Sequence, residues 1–66
     1  MEISVNGESR RVAAGFSVAE LLREMGLEGQ RLAVERNGEI VPKSHHVATP
    51  LAEGDRIEIV IAVGGG

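Results

Sequence analysis

Few residues in this chain of 66 have the chemistry to act on another molecule. His45 and His46 form its only histidine cluster. Adjacent residues tend to point apart, and no cysteine or spaced third ligand accompanies them, so a solvated loop is expected rather than a metal site. The carboxylates Glu20, Glu24, Glu28, Glu35, Glu53 and Glu58 are scattered among basic residues, the pattern of solvated faces. No serine has a histidine and an acid in a nucleophile setting. Gly64-Gly65-Gly66 is not a phosphate loop, because no Lys-Ser/Thr pair and no helix follow it. What remains is the α-carboxyl of Gly66. With a pKa of about 3.5 it is ionised at neutral pH and a poor electrophile. It becomes reactive only when another protein activates it, for instance as an acyl-adenylate. The chain reads as a substrate of chemistry, not as an enzyme.

Such a carboxyl needs a rigid base, and the preceding stretch supplies one. In Asp55 to Val63, Ile57, Ile59, Ile61 and Val63 alternate onto one side, the pattern of a half-buried strand. A strand this apolar belongs in the middle of a sheet. Three glycines suit neither a strand interior nor a turn. They suit a flexible tail, residues 64–66, that leaves a folded unit of residues 1–63 and enters a narrow channel where a Cβ would collide. The competing reading is a frayed terminus with no role.

The earlier segments spell out the rest of a sheet. Glu2 to Val5 alternates, with Ile3 and Val5 inward, and Asn6-Gly7 signals a type I′ hairpin into a second strand, Glu8 to Val12. That register sets Glu2 opposite Arg11 as a charge pair. It also puts Arg10 on the inner face, its stem over apolar surface and its head in water. Ser17 and Glu20 have capping-box spacing, Phe16 and Leu21 the staple positions, and Val18, Leu21, Leu22 and Met25 one apolar face. Gly26 and Leu27 complete a Schellman closure, which predicts a helix over 18–25. Leu32 to Arg36, Asn37-Gly38 and Glu39 to Val41 repeat the hairpin device, and Pro42 ends it. Lys43 to Pro50 is a crossing loop with Val47 and Leu51 as inward anchors, and Glu53-Gly54-Asp55 is a turn into the last strand. The expected fold is α+β: a mixed five-stranded sheet with one helix on one face, the last strand central and parallel to the first. That is the β-grasp, or ubiquitin-like, arrangement.

Size and composition narrow the role. A chain this short can bury only about 60% of its unfolded surface, and it has no cysteine to staple it. Seven basic and ten acidic residues give a net charge of −3, which argues against nucleic acid. The longest apolar run is far short of the ~20 residues of a membrane helix. No signal peptide is evident, so the cytoplasm is the expected compartment.

Ser17-Val18-Ala19-Glu20-Leu21-Leu22, Val34-Glu35-Arg36-Asn37-Gly38-Glu39-Ile40-Val41-Pro42, Glu53-Gly54-Asp55 and the Gly65-Gly66 end together resemble the thiamine-biosynthesis sulfur carriers of the ThiS family. The likeness runs through the whole chain. It implies that Gly66 is adenylated with ATP by a ubiquitin-activating-like enzyme and converted to a thiocarboxylate. A cysteine desulfurase is the implied kind of sulfur donor, and thiazole synthase the recipient. It implies no bound cofactor, and a monomer when free. Many members carry an aromatic near the position of His46, which bears on the loop's packing. Two other readings are the small subunit of molybdopterin synthase and a ubiquitin-like binding module whose glycines are only a tail. The outer face of the last strand, with Arg56, Glu58, Val60 and Ala62, is the expected docking surface for the activating enzyme or thiazole synthase, beside the tail residues Gly64 and Gly65.

Overall fold

The computed structural model describes residues 1–62. Its elements are β1 (Glu2–Val5), β2 (Glu8–Arg11), α1 (Val18–Glu24), β3 (Leu32–Arg36), β4 (Glu39–Val41), a 3-10 turn (Lys43–His45) and β5 (Arg56–Ile61). The strands form one sheet in the order β2-β1-β5-β3-β4. The expected arrangement is therefore met: β5 is central, parallel to β1 and antiparallel to β3.

Both hairpins have the expected turns. Asn6 and Gly7 sit at φ 52° and 85°, Asn37 and Gly38 at 52° and 86°, the left-handed pairs that a type I′ turn requires. The registers follow, with Glu2 opposite Arg11, Arg36 opposite Glu39 and Val34 opposite Val41. Two side-chain expectations in the first hairpin need correction. The Glu2 carboxylate accepts from the Ser9 hydroxyl at 2.6 Å, so its close partner is Ser9, not Arg11. Arg10 does face inward, but its head is not left to water. It donates to Glu24 of α1 at 3.1 Å, tying the edge strand to the helix.

The helix is closed at both ends by residues of its own sequence. Ser17 and Glu20 exchange the two capping-box hydrogen bonds, at 2.9 and 3.1 Å. At the other end Gly26 N–H donates to Arg23 O at 3.0 Å and Leu27 N–H to Leu22 O at 2.8 Å, with Gly26 at φ 74°. This is the Schellman pattern, and Met25 is the cap, not the last helical residue. Val18, Leu21 and Leu22 are buried by this helix against Ile3, Val5, Val34, Ile57 and Ile59 of the sheet, with Val12 and Leu51 completing the core. Phe16 and Met25 are partly buried against it.

The crossing loop departs from expectation. Leu51 is an inward anchor, but Val47 is 81% exposed and His46 takes the inward place at 8%. The buried ring satisfies its Nε2 N–H on Val41 O at 3.1 Å. The loop also serves the helix. Thr49 O accepts from Val18 N–H and His46 O from Ala19 N–H, each at 3.0 Å, which satisfies two of the donors that a helix start leaves open. The last strand is shorter than the alternating run suggested. Ile57 and Ile59 are buried while Ile61 is 40% exposed. Val63 lies outside the described residues.

Candidate functional site

The candidate site is β5, its outer face, and the point where the chain leaves it. β5 is held along its whole length, and much of the holding is done by side chains. At its start Asp55 is buried. Its carboxylate accepts from Arg36 Nε at 2.9 Å, Asn37 Nδ2 at 3.1 Å and Ala52 N–H at 2.8 Å. Burial by itself would raise this carboxyl's pKa, but the Ala52 amide, the Asn37 amide and the Arg36 guanidinium outweigh it. The pKa lies below the ordinary aspartate value. Asn37 also turns its Oδ1 to Arg56 N–H at 2.8 Å and gives its own N–H to Arg56 O at 2.8 Å.

The other hairpin tip grips the middle of the strand. β1 pairs with β5 only as far as Val5 opposite Ile57, so the backbone of Ile59 has no strand beside it on that flank. Asn6 fills the gap. Its Oδ1 accepts from Ile59 N–H at 2.7 Å and its Nδ2 donates to Ile59 O at 3.2 Å. One side-chain amide thus stands in for a peptide unit of a longer strand. At the far end Ala62 N–H donates to Arg31 O at 2.9 Å. The strand that leads to residues 63–66 is therefore fixed at its start, middle and end.

The sheet's two faces differ. One is covered by α1. On the other, Arg56, Glu58, Val60 and Ala62 all reach the surface, as expected from their alternation, and Val60 is 63% exposed. Ala33 stands opposite Val60 and is also exposed, and Ile40 on β4 is 62% exposed. Sequence reading missed Ile40 and Ala33 as members of this face. The signal was present: Val34 inward forces Ala33 and Glu35 outward, and the hairpin register then sets Ile40 beside Glu35. The expected tail residues Gly64, Gly65 and Gly66 lie outside the described residues.

The histidines do not meet. His45 is exposed and His46 is buried with its Nε2 engaged, and no cluster of metal-ligating side chains occurs among the described residues. No helix among them is long and apolar enough to cross a membrane. Val47 instead rims a half-open groove of about 380 Å³, lined also by Leu22, Leu27, Leu32, Arg31 and Lys43, between the helix and the 3-10 turn.

A five-stranded mixed sheet grasping one helix, with its central strand clamped by both hairpin tips, defines the class: a ubiquitin-like β-grasp protein. The chain belongs to the ThiS family, whose model matches residues 3–66. A thiamine biosynthesis protein (ThiS) from Geobacter metallireducens has the same fold at a TM-score of 0.85 and 33% identity, each chain covered in full. The sulfur carrier protein ThiS of Bacillus subtilis is 42% identical over 50 residues, 76% of each chain. A thiazole synthase of Paramagnetospirillum magneticum is 46% identical over all 66 residues, but this chain spans only 20% of that protein's length. The same share holds for the thiazole synthase of Magnetococcus marinus, at 39% identity.

Proposed function

We propose that this protein carries sulfur for the synthesis of the thiamine thiazole, with Gly66 as the loaded residue. A carboxylate oxygen of Gly66 attacks the α-phosphorus of ATP in an adenylating enzyme, forming an acyl-adenylate and releasing pyrophosphate. The terminal sulfur of a persulfide, carried by a donor such as a cysteine desulfurase, then attacks the activated carbonyl, and AMP leaves an acyl disulfide to the donor. A thiol such as free cysteine attacks the donor's sulfur of that disulfide, forming a new disulfide with it, and a terminal thiocarboxylate remains for thiazole synthase to use. The chain itself supplies no acid, base or metal to these steps. Its part is to deliver one carboxyl into the active sites of others, on glycines that have no Cβ to collide with a narrow channel. The outer face of β5, with Arg56, Glu58, Val60 and Ala62, docks on the partners while Gly64 to Gly66 enter.

The observation that carries this reading is the clamped central strand, aimed at the glycine end, in a chain of the ThiS family. The thiazole synthase of P. magneticum supports the choice of recipient. A stretch similar to this entire chain lies within that protein, as expected if carrier and synthase work together.

The test is an intact mass after incubation with the adenylating enzyme of the same organism, ATP, and a cysteine desulfurase with cysteine. Exchange of one oxygen of the ionised α-carboxylate for sulfur adds about 16 Da. Deleting Gly66 is expected to abolish the shift and Gly65→Val to impair it, both without change in the circular dichroism of the fold. A shift that persists in the deletion, or that never appears with competent partners, overturns the proposal.

A further inference from the structure

On the bare face of the sheet, two carboxylates are set against each other. β3 and β5 are antiparallel with Glu35 directly opposite Glu58, and both side chains point away from the helix. Directly opposed residues have Cβ atoms about 5 Å apart, and like charges in that position destabilise a sheet. Neither carboxylate has a cation within ion-pair distance among the described residues; the ion pairs there are Arg10–Glu24, Arg23–Glu28 and Arg36–Asp55. Arg56, two positions before Glu58 on the same strand, forms no ion pair with it.

Away from Arg56, the surroundings of the pair are apolar. Ile40 stands beside Glu35 on β4, and Ala33 and Val60 form the next cross-strand pair along the sheet. Ile40 and Val60 are 62% and 63% exposed. A neutral, apolar partner that covered Ile40 and Val60 would strip water from two repelling carboxylates, which is strongly unfavourable. A partner that sets a cation between them gains two charge-assisted contacts and removes the repulsion in the same step.

We infer that the adenylating enzyme docks on this face by placing an arginine or lysine between Glu35 and Glu58, with apolar side chains against Ile40, Ala33 and Val60. The inference rests on the carrier reading for its partner and adds the chemistry of the contact. The chain tolerates the repulsion when free, and the partner relieves it on binding.

The experiment measures kcat/KM for thiocarboxylate formation, by intact mass, with the adenylating enzyme of the same organism. Glu58→Lys and Glu35→Lys are each expected to lower kcat/KM by roughly tenfold or more, chiefly through KM, and the glutamine variants by less. Glu8→Lys, the same charge change on the edge hairpin, loads as wild type. Raising NaCl from about 50 to about 500 mM slows loading of wild type at low carrier concentration, and the Glu35→Gln/Glu58→Gln double variant loses most of that dependence. At low salt, Glu58→Gln melts at a higher temperature than wild type. Charge reversals that load normally, or wild-type loading indifferent to salt, overturn the inference while leaving the carrier reading intact. A wild type that never loads overturns the carrier reading, and the melting temperatures then still decide whether the repulsion exists. A Glu58→Gln melt no higher than wild type removes the ground of the inference.

Discussion

The carboxylate of Asp55 shows how one residue can organise a strand it does not belong to. It accepts from Arg36, Asn37 and Ala52 and so ties the β3–β4 turn to the start of β5. Its lowered pKa means that this contribution is fully present above the unfolded-state value, about 3.9, and is lost as pH falls through the lower folded value. Urea midpoints measured from neutral pH downward should therefore separate wild type from Asp55→Asn clearly at pH 6 to 7. The gap should close in acid, below about pH 4. A gap of constant size into strong acid would show that Asp55 acts by shape and not by charge. None of this was visible in Glu53-Gly54-Asp55, which reads as a turn. Asn6 and Asn37 were half legible. Their preference for positive φ before glycine marks the hairpins, but their second task depends on backbone groups of β5 that only the folded sheet brings near. For Asn6 that partner is 53 residues away.

At the scale of elements, legibility followed how local the cause is. The helix has seven residues, too few to persist alone in water, yet its caps and apolar face are written within a dozen consecutive positions. Sequence reading placed it to within one residue. Its hold on the sheet is a separate matter. Leu21 is fully buried, and Leu21→Ala is expected to cost about 2–5 kcal/mol, a large share of a small domain's stability. A chemical denaturation midpoint equal to wild type would show that this face does not carry the core. The crossing loop was misread by one position because its shape answers to distant groups. It must bring Thr49 O and His46 O to the first turn of α1 and pair Pro50 with Ser17. Hydropathy favours Val47 over His46 as the inward residue. The hydrogen bond from the His46 ring to Val41 O settles it the other way.

The molecule as a whole is a sheet with one face buried under a helix and one face finished as if something were to cover it. The outward alternation of β5 was legible from the sequence. The membership of Ile40 and Ala33 depended on register across three strands. If this face docks on the adenylating enzyme or on thiazole synthase, Val60→Asp should weaken binding at least severalfold while leaving the thermal midpoint nearly unchanged, because Val60 is an exposed position. Titration calorimetry against either partner, with circular dichroism as the control for folding, checks it. Wild-type affinity in a well-folded variant would assign the contact to another surface.

The place of β5 in the sheet also bears on the order of events during synthesis. Of the five strands it is made last, yet it lies between β1 and β3, and without it the sheet has no middle. Two hairpins and a helix can gather as the chain emerges, but their inner edges stay open until residues 56–61 arrive. Such long-range closure is slow compared with hairpin formation. The surface shared by β3 and β5, where Glu35 meets Glu58, does not exist before that moment. If a partner reads this surface as inferred above, it engages finished molecules and passes over unfinished ones, and folding itself would be the first checkpoint of the proposed carrier's cycle.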